Sequence, residues 1–137
     1  MTAVSHSEHD TASLARELAR GLRKGDIVLL SGDLGAGKTA FVRGLADGLG
    51  IDPELVSSPT FTLIHEYRGT GLTLYHADLY RLDRAASEDL GLEETGDGVL
   101  AIEWPERLSH PIPGSLSVTL DIRDDTTRVI TIRPREQ

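Results

Sequence analysis

The residues best suited to chemistry lie in the segment GDLGAGKT, Gly32 to Thr39, which combines three glycines with one lysine and one threonine. The segment matches the G-x-x-x-x-G-K-[ST] pattern, and its surroundings predict a buried strand before it and a helix after it. Glycines let successive backbone N–H groups curve around phosphates, and the N-terminus of a following helix attracts the same anion. The spacing therefore predicts a loop that binds a nucleoside triphosphate.

Two side chains of this loop would make the specific interactions. Lys38 would reach the β- and γ-phosphates as a compact charge, and Thr39 would offer its hydroxyl to Mg²⁺. The alternative is a glycine-rich turn with a surface lysine, which the strand and helix patterns on either side disfavour. Ras-type GTPases read guanine with an N-K-x-D loop, and this chain contains no asparagine. We therefore expect the cofactors to be ATP and Mg²⁺.

A phosphate-binding loop of this kind also needs a carboxylate at the end of a neighbouring strand. Glu103 ends the apolar run VLAIE, and a fully apolar strand is expected at the sheet centre beside the loop. It is the first candidate to hold Mg²⁺, whereas Asp78, which ends the alternating run LTLYHAD, is a candidate to orient water. Either could instead be an ordinary strand-end acid. Trp104 would cover the nucleotide base or pack under Pro105.

The elements that must position these residues follow from apolar periodicity and from turn residues. A helix is expected over TASLARELARGLRKG, with Asp10 or Thr11 as its cap and Gly25 at its end. The other expected elements are a strand at DIVLLSG, a helix from Gly37 to Leu49, a hairpin around RGTG, a helix at RAASEDLGLEE, a strand at GVLAIEWP and a hairpin turning near Asp124 to Thr127. This order predicts a single α/β domain over residues 1–137, P-loop NTPase-like, with central parallel strands, antiparallel hairpin additions and flanking helices.

Two further groups of polar residues have more than one interpretation. The hydroxyls of SSPTF, Ser57 to Phe61, could sense a γ-phosphate as switch loops do, or belong to an ordinary polar loop. His65 and His76 lie on adjacent predicted strands and could form a metal pair. Strand histidines with hydrogen-bond partners of their own are the favoured interpretation.

Composition limits the possible functions. The chain has 137 residues and a net charge of −8, which argues against broad nucleic-acid binding because phosphate contacts require a positive surface. It has no cysteine, which excludes disulfides and thiolate zinc sites. It contains no apolar stretch of about 18 residues and no signal-peptide pattern, so we expect no membrane association and a cytoplasmic protein.

Several segments, in their order and spacing, resemble the TsaE family, also called YjeE: GDLGAGKT, SPTFTLIHEY, YHADLYRL, EDLGLEE and IEWPERL. The resemblance covers roughly Thr11 to Leu108, and the final hairpin fits it too. It implies a bacterial ATPase subunit of the machinery that makes N6-threonylcarbamoyladenosine at position 37 of ANN-decoding tRNAs. It also implies a TsaB–TsaD heterodimer as partner and tRNA contact through that complex, without DNA.

The resemblance implies a set of site residues as well. The family's magnesium ligands fall on Thr39 and Glu103, and its DLYR aspartate falls on Asp78. The residues that would surround the nucleotide are the family's loop, Gly35, Ala36, Gly37, Lys38, Thr39 and Ala40, together with Thr11 and the aromatic Trp104. The chain departs from the family where Ala77 replaces an aromatic and Ala40 replaces a second threonine, and neither change removes a charged or metal-binding group.

Two other functions share the phosphate-binding loop. A small-molecule kinase would need an acceptor pocket and an arginine-bearing lid, yet only Arg68 lies between Gly50 and Asp78. A nucleotide-gated binding module would bind ATP without turnover. Phosphate release measured with and without partners separates these from the expected ATPase, which should be slow alone and dependent on its partners.

Overall fold

The computed structural model describes residues 1–57, 64–80, 95–108 and 112–133, in which seven strands form one sheet accompanied by two α-helices. The elements are β1 (Thr2–Ser5), α1 (Glu8–Ala19), β2 (Ile27–Ser31), α2 (Lys38–Gly48), β3 (Ile64–Tyr67), β4 (Thr73–Asp78), β5 (Gly98–Glu103), β6 (Leu116–Ile122) and β7 (Arg128–Arg133). Short 3-10 helices span Pro53–Leu55 and Pro105–Arg107. Neither of the described α-helices is long and apolar enough to cross a membrane.

The strand order across the sheet is β1-β7-β6-β2-β5-β4-β3. Strand β2 runs parallel to both β5 and β6, and β4 runs parallel to β5. The outer pairs β3–β4, β6–β7 and β1–β7 are antiparallel. The predicted mixed α/β sheet with a parallel centre is therefore confirmed. Because parallel strands end at the same edge, the ends of β2, β4 and β5 meet there, as ligand sites in such sheets require.

The two hairpins are more central than their sequence suggested. Each contributes one strand to the parallel centre, since β4 lies beside β5 and β6 lies beside the strand that leads into the glycine loop. The fully apolar strand β5 is buried along its whole length next to β2, as expected. Strand β2 buries Val28 and Leu30 completely, whereas Ile27 and Leu29 on its other face are only half-buried.

The N-terminal strand β1 was not predicted. Its four residues, TAVS, pair with β7, and Val4 remains 56% exposed. A segment this short with one branched apolar side chain has no local signal for a strand. It forms through backbone pairing with residues 123 to 129 positions away in the register.

The ends of α1 also differ from the prediction. Neither Asp10 nor Thr11 caps the helix; Ser7 does, and its hydroxyl accepts a hydrogen bond from the Asp10 N–H at 3.0 Å. An N-cap hydroxyl satisfies the otherwise unpaired first N–H groups, so Ser7 starts the helix one turn earlier. The helix ends at Ala19 rather than at Gly25.

Helix α2 follows the prediction closely, beginning after Gly37 and ending before Leu49. It packs directly on α1, because Gly44 and Gly48 leave room for the α1 backbone. Its residues Phe41, Val42 and Leu45 are completely buried in the main core. The predicted helix at RAASEDLGLEE and most of SSPTF lie outside the described residues.

Candidate nucleotide-binding site

The loop between β2 and α2 depends on glycine at several positions. Gly35 and Gly37 adopt left-handed backbone angles, with φ of 82° and 101°, which side chains other than glycine rarely allow. At Gly32 a Cβ atom would lie 2.8 Å from the Leu120 carbonyl oxygen. The loop is closed by a hydrogen bond from the Ala36 N–H to the Asp33 carbonyl oxygen at 3.0 Å. The glycines of the motif therefore have a steric reason that is independent of the predicted phosphate binding.

Lys38 begins α2 and is folded back over the loop. It is 5% exposed, and its Nζ donates to the Gly32 carbonyl oxygen at 2.6 Å. The same Nζ lies 3.6 Å from the centroid of the Trp104 ring, a cation–π contact. Burial lowers the pKa of Lys38, while the nearby carboxylates of Glu103 and Asp78 oppose that shift. The structure thus holds a buried cation next to both candidate acids.

The two carboxylates are neighbours at the ends of adjacent parallel strands. Asp78 of β4 stands in register with Glu103 of β5. Glu103 is 3% exposed, whereas Asp78 is half-buried and accepts a hydrogen bond from the Tyr80 N–H at 3.0 Å. Burial raises the pKa of Asp78, and the Tyr80 N–H partly offsets this. Both predicted acids therefore reach the edge of the sheet where the loop and Lys38 lie.

His76 contacts the candidate magnesium ligand, a role that sequence reasoning did not assign. It is fully buried, and its Nε2 lies 2.5 Å from Glu103 Oε2. His65 faces His76 in the β3–β4 register, but its Nδ1 bonds the Tyr67 hydroxyl at 2.9 Å. Within the described ranges no three His, Cys, Asp or Glu side chains converge to hold a metal. Each histidine therefore has a hydrogen-bond partner of its own, as the favoured interpretation expected, but the buried Nδ1 of His76 has no partner among the described residues.

Trp104 has a strained backbone. Its φ of 60° and ψ of 54° are left-handed, and it is the only non-glycine residue with positive φ in the part of the chain that the structure describes. Its ring packs against Tyr80, with centroids 4.9 Å apart, and against the Lys38 ammonium. Such a conformation costs about 1–3 kcal/mol and persists where the surroundings enforce it, most often at functional sites.

A cavity of 230 Å³ lies beside the loop. It lies between the start of α1, the loop and the β6–β7 turn, and its lining includes His6, Ser7, Glu8, Thr11, Gly35, Ala36, Gly37, Asp125, Thr126 and Arg128. Thr11 is 2% exposed, and its hydroxyl shares a 2.7 Å hydrogen bond with Ser5. Thr11 therefore does reach the loop, although its hydroxyl is already engaged.

The remaining predicted residues lie where the motif puts them. Thr39 is half-buried in the first turn of α2, and Ala40 and Ala36 are buried beside it. Sequence reasoning missed the contribution of the β6–β7 turn. The cavity lining includes Asp125 of this turn and Arg128, the first residue of β7. Both lie about 90 positions from the loop in sequence, and Arg128 hydrogen-bonds Gly35 and Ala36 across that separation. No short motif could have revealed them.

Comparison with known proteins gives one consistent result. A family model described as "Threonylcarbamoyl adenosine biosynthesis protein TsaE" matches residues 5–130. The chain is 46% identical to "tRNA threonylcarbamoyladenosine biosynthesis protein TsaE" of Treponema pallidum, over 96% of this chain and 99% of the relative. The protein of the same name from Bacillus subtilis is 44% identical, over 89% of this chain and 78% of the relative.

Similarity extends to a solved structure. The crystal structure of Bacillus subtilis YdiB superposes with a TM-score of 0.79 and 34% sequence identity. The match covers 98% of this chain and 85% of that one. The α/β architecture described above is therefore shared with an experimentally determined relative.

Proposed function

The chain belongs to the TsaE family, and we propose that it is an ATP-binding, slowly hydrolysing subunit needed to form N6-threonylcarbamoyladenosine at position 37 of ANN-decoding tRNAs. Residues 1–137 act as a single P-loop ATPase domain in the cytoplasm, with a TsaB–TsaD heterodimer as partner and tRNA bound through the complex. The observation that carries the proposal is the convergence of Lys38, Asp78 and Glu103 at the edge of the sheet where the glycine loop begins α2.

The nucleotide would lie across the glycine loop. The phosphates would accept hydrogen bonds from loop N–H groups at the start of α2, where the helix dipole also favours negative charge. Lys38, which now donates to the Gly32 carbonyl oxygen, would turn its ammonium toward the β- and γ-phosphates. The nucleoside would occupy the 230 Å³ cavity beside Thr11 and Arg128. Trp104 would support the lysine from the opposite side through its ring.

The residues present fit a magnesium ion that arrives with the nucleotide. Mg²⁺ in such sites takes one or two protein oxygens and completes its shell with phosphates and water, so a dedicated protein cage is not required. Thr39 would supply its hydroxyl and Glu103 a carboxylate oxygen, the other Glu103 oxygen being held by His76. When bound, the ion would neutralise charge that develops on the phosphates. Asp78, next to Glu103 in the register, would orient the attacking water.

Hydrolysis by this chain alone should be slow. Arg128, the arginine that lines the cavity, already donates to four backbone carbonyl oxygens, so it does not supply a free cation to the γ-phosphate. Supplying an arginine in trans can raise the rate of such enzymes by ~10³–10⁵. We expect the TsaB–TsaD heterodimer to accelerate hydrolysis, and ATP to tighten assembly because it favours the docking-competent conformation.

The test is tRNA threonylcarbamoylation reconstituted over many turnovers, with wild type, with Lys38→Ala or without this subunit. Modification should continue beyond the first turnovers only with wild type. Equal modification in all three reactions would mean that the chain has another task. Phosphate release with and without TsaB–TsaD, and without any acceptor metabolite, distinguishes the ATPase from a kinase and from a gated module without turnover.

A further inference from the structure

Arg128 joins the β6–β7 turn to the glycine loop through its guanidinium. On one side, Nε donates to the Ala36 carbonyl oxygen at 3.2 Å and Nη2 donates to that of Gly35 at 3.1 Å. On the other side, Nη1 donates to the Asp124 and Thr127 carbonyl oxygens at 2.7 and 3.1 Å. All four acceptors are backbone groups of two segments that are distant in sequence. The fork of N–H donors in arginine suits this bridging, whereas a lysine ammonium would not span both segments.

The two loop contacts determine which way two peptide groups face. In a trans peptide the C=O and the following N–H point in opposite directions. Holding the Gly35 oxygen toward Arg128 turns the Ala36 N–H away from it, toward its acceptor on Asp33. Holding the Ala36 oxygen turns the Gly37 N–H to the side opposite Arg128. Gly37 is the N-cap of α2, where the unpaired N–H groups that attract phosphate are found.

The loop needs such an outside restraint because of its composition. Gly35 and Gly37 both adopt positive φ, and glycine explores more backbone conformations than any other residue when it is not held. A ligand that must first order a flexible loop binds more weakly, and a loop ordered in advance avoids that loss. A Cβ on Gly35 would contact nothing within 4 Å, so local packing does not hold this residue.

We infer that Arg128 is a positioning residue for nucleotide binding: it presets the glycine loop so that the Gly37 N–H faces the phosphates before the nucleotide arrives. This inference rests on the proposed function, since it assigns the loop to phosphate binding. Through the same contacts the β6–β7 turn becomes part of the phosphate-binding site, although none of its side chains belongs to the glycine-lysine motif of residues 32–39. Arg128 acts through the loop backbone and not by contact with the transferred phosphate.

The experiment compares Arg128→Met, Arg128→Lys and the control Arg123→Met. Arg123 lies in the same hairpin with an exposed side chain, so its replacement removes a charge without touching the loop. Calorimetry measures binding of Mg·ATP and of inorganic tripolyphosphate, and hydrogen exchange follows the amides of residues 33–38 without ligand. The expected size of the effect follows from the free energy of hydrogen bonds made by a charged donor: if their loss leaves the loop to be ordered by the ligand, binding should weaken roughly ten-fold.

We expect Arg128→Met to bind both ligands about ten-fold more weakly and to exchange the loop amides faster. Arg128→Lys should be intermediate, and Arg123→Met should match wild type. If Arg128→Met fails to fold, comparing Arg128→Lys with wild type and with Arg123→Met tests the same inference. Wild-type affinity for both ligands in the Arg128 variants overturns the inference. A loss for ATP with unchanged tripolyphosphate binding also overturns it, because Arg128 would then contact the nucleoside. Wild type that binds neither ligand would instead reject the proposed function.

Discussion

At the scale of single residues, the site concentrates groups that are costly to bury. Lys38 and Glu103 are almost fully covered, and Trp104 holds a left-handed backbone between β5 and Pro105. Buried charges persist in proteins when they are paired and hydrogen-bonded. Here the lysine has a carbonyl acceptor and an aromatic face, and the glutamate has His76. Buried charged groups of this kind are common at catalytic and phosphate-binding sites. They would not be favoured by the stability of the folded state alone.

Replacing Lys38 by alanine should abolish tight ATP binding. The change removes the ammonium that would pair with the β- and γ-phosphates, and a charge-assisted contact contributes about 1.5–3 kcal/mol, which corresponds to roughly ten- to hundred-fold in affinity. Calorimetric titration with Mg·ATP measures the loss, with Lys24→Ala as the control because Lys24 is exposed and is the other lysine of the chain. Equal affinity of Lys38→Ala and wild type would reject the phosphate-binding role of the loop.

Replacing Glu103 by alanine should separate binding from turnover. The glycine loop and Lys38 would still hold the phosphates, so nucleotide affinity should fall only modestly, while hydrolysis should fall by a large factor because Mg²⁺ loses its carboxylate. Steady-state hydrolysis in the presence of partners, together with a direct binding assay, measures both. Normal hydrolysis by Glu103→Ala and none by Asp78→Ala would show that the two carboxylates have each other's role.

At the scale of elements, α1, α2 and the β6–β7 hairpin are fitted closely around the loop. Gly44 and Gly48 let α2 approach the α1 backbone, with a Cβ on Gly48 meeting the Arg16 carbonyl oxygen at 2.7 Å. Strand β6 approaches Gly32 through the Leu120 carbonyl oxygen. The position of α2, and hence of Lys38 at its start, is therefore determined by contacts that tolerate little change in volume.

Gly44→Ala should destabilise the protein although alanine favours helices. A Cβ at this position would overlap the Ala12 carbonyl oxygen, so the two helices must separate. Overpacking of this kind typically costs about 1–3 kcal/mol. Chemical denaturation gives the free energy of unfolding. Gly96→Ala is the matched control, since a Cβ there would meet nothing within 4 Å. Equal stability of Gly44→Ala and wild type would mean that α1 and α2 can move apart freely.

The β6–β7 turn should lose stability in acid through Asp124. Its carboxylate accepts hydrogen bonds from the N–H groups of Thr126 and Thr127, at 3.0 and 2.8 Å, and these lower the pKa of Asp124 below 3.8. A lowered pKa in the folded state means that the stabilisation is complete above about pH 4–5 and is lost as the pH falls through the folded-state value. The difference in unfolding free energy between wild type and Asp124→Ala should therefore shrink between pH 6 and pH 3. A constant difference would contradict this role.

At the scale of the whole molecule, the candidate site joins parts of the chain that are distant in sequence. The cavity brings together the start of α1, the loop before α2 and the turn before β7, and strands β4 and β5 supply the two carboxylates. Such an arrangement predicts that a bound nucleotide would link nearly every layer of the fold. The net charge of −8 supports the proposal that tRNA is contacted through partner proteins, because phosphate contacts require a positive surface.

Mg·ATP should therefore raise the thermal stability of the whole chain. A ligand that binds only the folded state adds about 2.7 kcal/mol at a concentration 100 times its dissociation constant. Differential scanning calorimetry with increasing Mg·ATP should give a rising Tm for wild type and a much smaller rise for Lys38→Ala. A Tm that stays constant up to millimolar Mg·ATP would contradict nucleotide binding by the isolated protein.

The sequence by itself determined the family, the α/β class and the elements that carry the motif, because glycine spacing and apolar periodicity are local signals. It identified Lys38, Asp78 and Glu103 as site candidates; their roles remain predictions, although the structure brings all three together. Only the tertiary structure decided that β1 exists, that His76 bonds Glu103 and that Arg128 holds the glycine loop. Each of these depends on backbone or side-chain groups separated by 27 to 129 positions, and such contacts leave no periodic pattern in the chain.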